Sequence, residues 1–262
     1  MKILLLGHQE IYSALALNLL MDRLAGHELC LWLSGPLKEQ GSAPSLVQFD
    51  RHEAAMCEQL PCGPFVGFEA LAEKTGKALG SLLDPNSSAG LAALEALQPD
   101  LILSVRYRKI IKNQAIAIPR YGILNIHSGL LPENRGAMAT FYAMLRGGKT
   151  IGSTLHYIVD ESIDTGPIVG LAPIPLNYHW SYSLNVMHLY RPGCEMIIQA
   201  VNDIDQYGRA PSQLQQGAGH YHNFPMDEDF VAFSKAGFRL HDRDDVQRFT
   251  EHYVQNNLIG SG

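Results

Sequence analysis

The sequence predicts an α/β fold: a parallel-stranded sheet with flanking helices, then a small C-terminal accessory element. Three observations carry this. Apolar runs at 2–6 and 28–33 flank a helical pattern over about 10–25, where Ile11, Leu15, Leu19 and Leu20 share one face. Such β-α-β spacing implies a right-handed crossover between parallel strands. Leu101-Ile102-Leu103-Ser104-Val105 reads as a buried parallel strand, and Gly122 to His127 as the next. From about 206 the pattern turns polar, aromatic and short in period. With 262 residues, 46% of them hydrophobic, the chain can bury a full core. Residues 1–205 are expected to form the catalytic domain and 206–262 a short extension.

The elements follow in order. The loop after the first strand, Gly7-His8-Gln9-Glu10, lacks the G-x-G-x-x-G pattern, which argues against a dinucleotide site. Residues 35–50 are rich in Gly, Ser and Pro and read as a loop, with a helix over 50–59. Asn86-Ser87-Ser88 supplies an N-cap for a helix ending at Leu97. Residues 136–146 read as helical, and 151–159 and 167–174 as strands flanking the loop of Asp164. A long helix covers 181–205, where Arg191-Pro192-Gly193 predicts a kink or interruption. Phe224-Pro225 and Phe238 are the expected hydrophobic anchors of the tail.

Composition excludes several functions. A net charge of −6 argues against a nucleic-acid-binding face. No apolar run approaches the roughly 20 residues of a membrane span, and the first residues read as a strand rather than a secretory signal. Cys30, Cys57, Cys62 and Cys194 make no disulfide framework, so a cytoplasmic location is expected. Cys57 and Cys62 lack a second metal-type pair and read as packing residues. His220 and His222 form an H-x-H with no third ligand of suitable spacing, so no metal is expected. Tyr178, His179 and Trp180 read as aromatic packing beneath the long helix rather than as a pocket lining.

The most informative stretch is Arg120-Tyr121-Gly122-Ile123-Leu124-Asn125-Ile126-His127-Ser128-Gly129-Leu130-Leu131-Pro132, answered by Ile163-Asp164-Thr165-Gly166. Residues i and i+2 of a strand point to one face, so Asn125 and His127 project side by side from the strand end. Open α/β sheets place their ligands there. Asp164 supplies a carboxylate, completing a layout suited to transfer to or from a carbonyl. Asn125 and His127 alone would read as a satisfied strand-end turn pair; the Leu130-Leu131-Pro132 and Ile163-Asp164-Thr165-Gly166 elements turn the reading to catalysis.

These segments, with Glu133-Asn134-Arg135-Gly136 and Thr154-Leu155-His156-Tyr157-Ile158-Val159-Asp160-Glu161, resemble the folate-dependent formyltransferases. That family includes the glycinamide ribonucleotide, methionyl-tRNA and amino-sugar N-formyltransferases. The resemblance is dense over about 100–170, looser before it, and fades after about 205. It implies a Rossmann-like domain, 10-formyltetrahydrofolate as formyl donor, and a small-molecule amine as acceptor. Chemistry of this kind involves no redox step and demands no metal. An amine attacks the formyl carbon and an oxyanion develops. Asn125 would donate to it, a contact worth roughly 10²–10³ in rate. His127 would donate to the oxyanion or relay a proton, worth about 10²–10⁴. Asp164 would orient the imidazole and help remove the amine's proton.

The resemblance also places the folate between two loops, largely through backbone groups. By position these are Tyr107, Arg108, Lys109, Ile110 and Ile111 on one side, and Asp160, Glu161, Ser162 and Ile163 on the other. The side chains of Arg108 and Lys109 are read either as solvated surface or as partners of the folate's anionic glutamate tail. Ser128 and Gly129 stand where many relatives have Pro and Ser, Asn134 where an aromatic is common, and Ser162 where Gly is common. These departures bear on the acceptor, not on Asn125, His127 or Asp164. The short acidic tail disfavours tRNA, and a glycinamide ribonucleotide enzyme would leave the tail unexplained. Amino-sugar N-formyltransferases, whose tails pair subunits, fit the layout best, so a nucleotide-linked amino sugar and a homodimer are expected. Residues 213–225 are loosely similar to those tails. A hydroxylated ornithine is the second acceptor. A 10-formyltetrahydrofolate hydrolase, which usually adds an N-terminal regulatory domain, and a non-catalytic folate-binding protein are the rivals.

Overall fold

A computed structural model describes residues 1–35, 41–60 and 65–259. In chain order it contains β1 (Lys2–His8), α1 (Ile11–Met21), β2 (Glu28–Ser34), α2 (Pro44–Met56), α3 (Phe68–Lys74), β3 (Gly80–Ser81), α4 (Ser88–Leu97) and β4 (Leu101–Val105). There follow α5 (Asn113–Ile116), β5 (Ile123–His127), β6 (Asn134–Gly136), α6 (Ala139–Leu145), β7 (Thr150–Ile158) and β8 (Ile168–Pro175). The chain ends in α7 (Tyr182–Tyr207), β9 (His220–His222), α8 (Asp227–Lys235) and α9 (Asp245–Ile259).

Seven strands form one sheet in the order β3-β2-β1-β4-β5-β7-β8. The first five in that order are mutually parallel, while β7 and β8 run antiparallel. The α/β fold with a mostly parallel, Rossmann-like sheet is therefore present. Ile3 to Leu6 and Leu101 to Val105 are almost wholly buried, as strands covered on both faces must be. Chain order reverses between β1 and β4, so the C-terminal ends of β1, β4 and β5 lie together at the position where such sheets bind ligands.

Three elements differ from their sequence expectation. Helix α2 begins at Pro44, not near 50, because proline at the first helical position needs no N–H and already has helical φ. Leu46 and Phe49, read as loop, are buried in the core; residues 36–40 of that expected loop lie outside the described residues. Helix α7 runs unbroken through Pro192, where a kink or interruption was expected. The helix is held against the sheet here: Ser153 Oγ donates to the Leu189 carbonyl at 2.6 Å. A Cβ on Gly193 would stand 3.0 Å from Ile126 Cδ1, so the glycine marks a close helix–sheet approach. Helix α6 starts at Ala139 because residues 134–136 instead form β6, paired parallel with β9 of the tail.

The tail folds back onto the body. Phe230, Phe233, Val246 and Phe249 are buried in the main core, and Phe238 packs against it. Ser181 Oγ donates to Asp245 Oδ2 at 2.6 Å, tying the start of α7 to the start of α9. Phe224 is no anchor; it is 43% exposed and lies at the site described below. Among the described residues no helix is long and apolar enough to cross a membrane. Cys30, Cys57 and Cys194 are free thiols, and Cys62 lies outside the described residues.

Candidate active site

Strand register brings the first residues together. Asn125 of β5 pairs with Ser104 of β4 on one side and His156 of β7 on the other. Residues directly opposite in neighbouring strands share a face, so a serine, an amide and an imidazole stand in a row. Ser104 Oγ donates to Asn125 Oδ1 at 2.8 Å. His156 Nδ1 lies 3.0 Å from the Tyr157 carbonyl, which can only accept, so Nδ1 carries the proton. Its Nε2 then accepts from Asn125 Nδ2 at 3.0 Å. The amide is thereby fixed in one orientation, with its second N–H left over. His156 and Ser104 were given no role from the sequence. The alternation of Thr154 and His156 on one face of β7 was the signal that could have found them.

His127, two residues on, is oriented differently. Its Nε2 donates to the Asn134 carbonyl at 2.7 Å, leaving Nδ1 3.5 Å from Asp164 Oδ2. A Cβ at Gly129 would lie 2.5 Å from His127 Nε2 and 2.8 Å from the Asn134 carbonyl oxygen. The glycine where relatives carry serine is thus what lets this ring reach that carbonyl.

Asp164 sits between two imidazoles, with Oδ1 3.4 Å from His156 Nε2 and Oδ2 accepting from the Gly136 N–H at 2.8 Å. Burial alone would raise its pKa. The charge of His127, the His156 contact and the Gly136 N–H override it and hold the carboxyl at about 2. Its backbone is left-handed, φ +55°, which aspartate tolerates better than most residues. The tail secures that turn: Gln215 Nε2 donates to the Asp164 carbonyl at 2.9 Å and to the Gly166 carbonyl at 2.8 Å. Gln213 pairs with Ile168 through two backbone bonds of 2.8 Å. No local sequence signal pointed to Gln215, because its partners are 51 and 49 residues away.

Two cavities meet at this cluster. The larger, of ≈ 410 Å³, is bounded by all nine residues assigned to cofactor binding from the sequence: Tyr107, Arg108, Lys109, Ile110, Ile111, Asp160, Glu161, Ser162 and Ile163. His156, Tyr221 and Phe224 also line it. The smaller, of ≈ 180 Å³, is lined by His127, Ser128, Asp50, Glu53, Arg106 and Tyr182 among others. Asn125, Asp164, Arg108 and Phe224 line both. Tyr178, His179 and Trp180 line neither; Trp180 stacks on His188 with ring centroids 4.3 Å apart. His222 of the H-x-H stacks on Tyr142, with Nε2 2.9 Å from Arg146 Nη1.

The smaller cavity has a charged floor that the sequence did not reveal. Arg108 Nη1 pairs with Asp50 and its Nη2 donates to Glu53 Oε2 at 3.0 Å. The side chain of Arg108 is thus held in a largely buried ion pair and is not solvated surface. Arg106, with φ +63°, lies 3.5 Å from Glu10 Oε1 and 3.9 Å from Glu53 Oε2. Glu10 itself caps α1, accepting from the Ser13 N–H at 2.7 Å and the Tyr12 N–H at 3.0 Å. Where a dinucleotide-binding loop would offer a helix N-terminus to phosphate, this chain fills it with its own carboxylate. Burial pushes Glu53 up to about 7 against the opposing pull of Arg106 and Arg108, and lowers His8, which lies 3.5 Å from Asp50.

Residues 73–182 match the formyl transferase family. The methionyl-tRNA formyltransferase of Bacillus licheniformis is 30% identical over 151 residues, 56% of this chain and 47% of that protein. The chain thus spans about half the length of the curated relatives it matches. In fold it is similar to a sugar N-formyltransferase from Shewanella sp. FDAARGOS_354, with TM-score 0.58 and 18% identity over 89% of this chain and 79% of that one. An N-formyltransferase from Helicobacter canadensis, solved with folinic acid and dTDP-3-aminofucose, gives TM-score 0.59 and 14% identity over 86% and 71%. At these identities the structural likeness speaks for the fold.

Proposed function

We propose that this chain, which carries the formyl transferase domain over residues 73–182, transfers a formyl group from 10-formyltetrahydrofolate to a primary amine of a small metabolite. The observation that carries the reading is the wall between the two cavities. Asn125 and Asp164 border both, so a donor in one and an amine in the other would meet across them.

The larger cavity fits the donor. Its ≈ 410 Å³ lies within the roughly 300–1,000 Å³ of ligand pockets, and two loops, 107–111 and 160–163, line it. Ile110 and Ile163, 51% and 37% exposed, offer apolar surface for a flat ring system. When bound there, the folate supplies the formyl carbon on a nitrogen. The spare N–H of Asn125 donates to the formyl oxygen as charge grows on it. His127 Nε2 is committed to Asn134, so Nδ1 is the nitrogen that takes the attacking amine's proton and passes it on. Asp164 stays ionised and stabilises the imidazolium that forms.

The sugar N-formyltransferases similar in fold support a nucleotide-linked amino sugar as acceptor, and a hydroxylated ornithine is the alternative; the two differ in size and charge. The test is formyl transfer from 10-formyltetrahydrofolate read by mass spectrometry against both classes, with a no-amine control. A gain of one formyl group on an amine is expected. Tetrahydrofolate release without an amine would instead identify a hydrolase. In the same assay Gln215→Ala is expected to lower kcat about 10-fold with donor binding little changed, because it frees the Asp164 turn. An unchanged kcat would remove Gln215 from the positioning of Asp164.

A further inference from the structure

Among the described residues that line both cavities, only Phe224 is exposed, at 43%; Asn125, Asp164, Arg108 and the rest are buried or half-buried. It is also the tail's one contribution to that junction. An exposed phenylalanine by itself needs no explanation, but the place of this one does. A side chain that lines both cavities and also faces outward stands between their junction and bulk water.

The chain on either side fixes Phe224 there. Strand β9 pairs with β6, the Ala137 N–H donates to the His222 carbonyl at 2.8 Å, and the Tyr142 hydroxyl donates to the Asn223 carbonyl at 3.1 Å. The His222 ring stacks on Tyr142 with centroids 4.5 Å apart, and Pro225 on the far side is buried. A Cβ on Gly136 would collide with the His222 carbonyl oxygen, so this close approach of the tail depends on that glycine.

The reaction gives that place a meaning. An amine and a water molecule attack the formyl carbon in the same way. With the amine, a nitrogen–carbon bond forms, the bond from carbon to the folate nitrogen breaks, and the amine's proton ends on the folate nitrogen. With water, an oxygen–carbon bond forms, the same bond breaks, the folate nitrogen takes a proton and formate leaves. Asn125 holds the oxygen, and His127 backed by Asp164 moves the proton, in either case. These groups do not discriminate, so the choice falls to whatever keeps water out.

We infer that Phe224 is a specificity-determining residue that favours the amine over water, capping the junction of the two cavities and keeping solvent from the formyl carbon while donor and amine are in place. This rests on the formyl-transfer reading above and goes beyond it, because it assigns the choice between transfer and hydrolysis to the tail.

The test reads coupling, the formylated amine formed per tetrahydrofolate released, with 10-formyltetrahydrofolate and amine both saturating. The amines are a dTDP-linked amino sugar and N5-hydroxyornithine, and coupling is measured on whichever gains a formyl group. In Phe224→Ala, uncoupled release with formate as second product is expected to rise about 10-fold over wild type, with binding of 5-formyltetrahydrofolate within about 3-fold. Phe224→Leu restores most of the bulk and is expected to return coupling close to the wild-type ratio. Adding Asp164→Ala to Phe224→Ala is expected to abolish the extra release, because water relies on the same proton relay. Should Phe224→Ala fail to fold, Phe224→Gln, which replaces the apolar ring with a polar chain, is read in its place with the same expectation. Unchanged coupling, or extra release that survives the loss of Asp164, overturns the inference and leaves formyl transfer standing. Absence of formyl transfer to either amine by wild type overturns both.

Discussion

Asp164→Ala is expected to lower formyl transfer by about 10³-fold while leaving donor affinity within about 3-fold of wild type. The carboxylate faces His127 Nδ1 at 3.5 Å and His156 Nε2 at 3.4 Å, and accepts from the Gly136 N–H. Without it the imidazolium formed during proton relay loses its counter-charge. His127→Ala is expected to act comparably. Asp164→Asn isolates the charge, because it can still accept from Gly136. Either alanine variant turning over at the wild-type rate would remove the proton relay from the mechanism. The same residue has a stability signature. Its folded pKa of about 2 lies below the ordinary 3.8, so its ionised form stabilises the fold at pH above about 4. That contribution is lost as the pH falls through the interval from about 4 to 2. The Tm gap between wild type and Asp164→Asn should therefore narrow on acidification; a gap independent of pH would contradict the depressed value.

Asn125→Ala is expected to lower kcat by about 10²–10³-fold, the loss of one fixed donor to the developing oxyanion. Ser104 Oγ on Oδ1 and His156 on Nδ2 hold the amide in one orientation, so the donor costs no reorganisation during the reaction. Asn125→Asp, nearly the same shape, should be as damaging, since a carboxylate offers no donor and repels the oxyanion. A kcat for Asn125→Ala within about 3-fold of wild type would assign stabilisation of that oxygen to another group. Measuring single-turnover transfer with the donor pre-bound separates this from any effect on binding.

Local pattern alone was enough for β1, β2, β4, β5 and α4. Each is a short apolar run or a capped helix whose signal lies within the element, as with the Ser87 side chain that accepts from the Gly90 N–H. The pairing of Asn125 with His127 was equally local, being a matter of two-residue strand periodicity. The turn of Asp164 and the two loops of nine residues around the larger cavity were placed by a resemblance spread over about 70 residues, not by any one motif. Pro192 does not interrupt its helix, because the sheet packs against that segment, a tertiary contact outside the reach of a local rule about helix interiors.

What the sequence by itself determined is the α/β order of elements, the face shared by Asn125 and His127, and the chemistry that an amide, an imidazole and a carboxylate can perform together. Tertiary structure decided the rest: which nitrogen of His127 is free, that His156 and Ser104 fix the amide, and that Gln215 of the tail clamps the turn of Asp164. It also decided the charge of the smaller cavity, assembled from Glu10 after β1, Asp50 and Glu53 on α2, and Arg106 and Arg108 after β4. The physical reason is separation along the chain. Periodicity and capping act within a few residues of one another, whereas Arg108 meets Asp50 and Glu53 across 58 and 55 residues, contacts that exist only once the strands are ordered in the sheet.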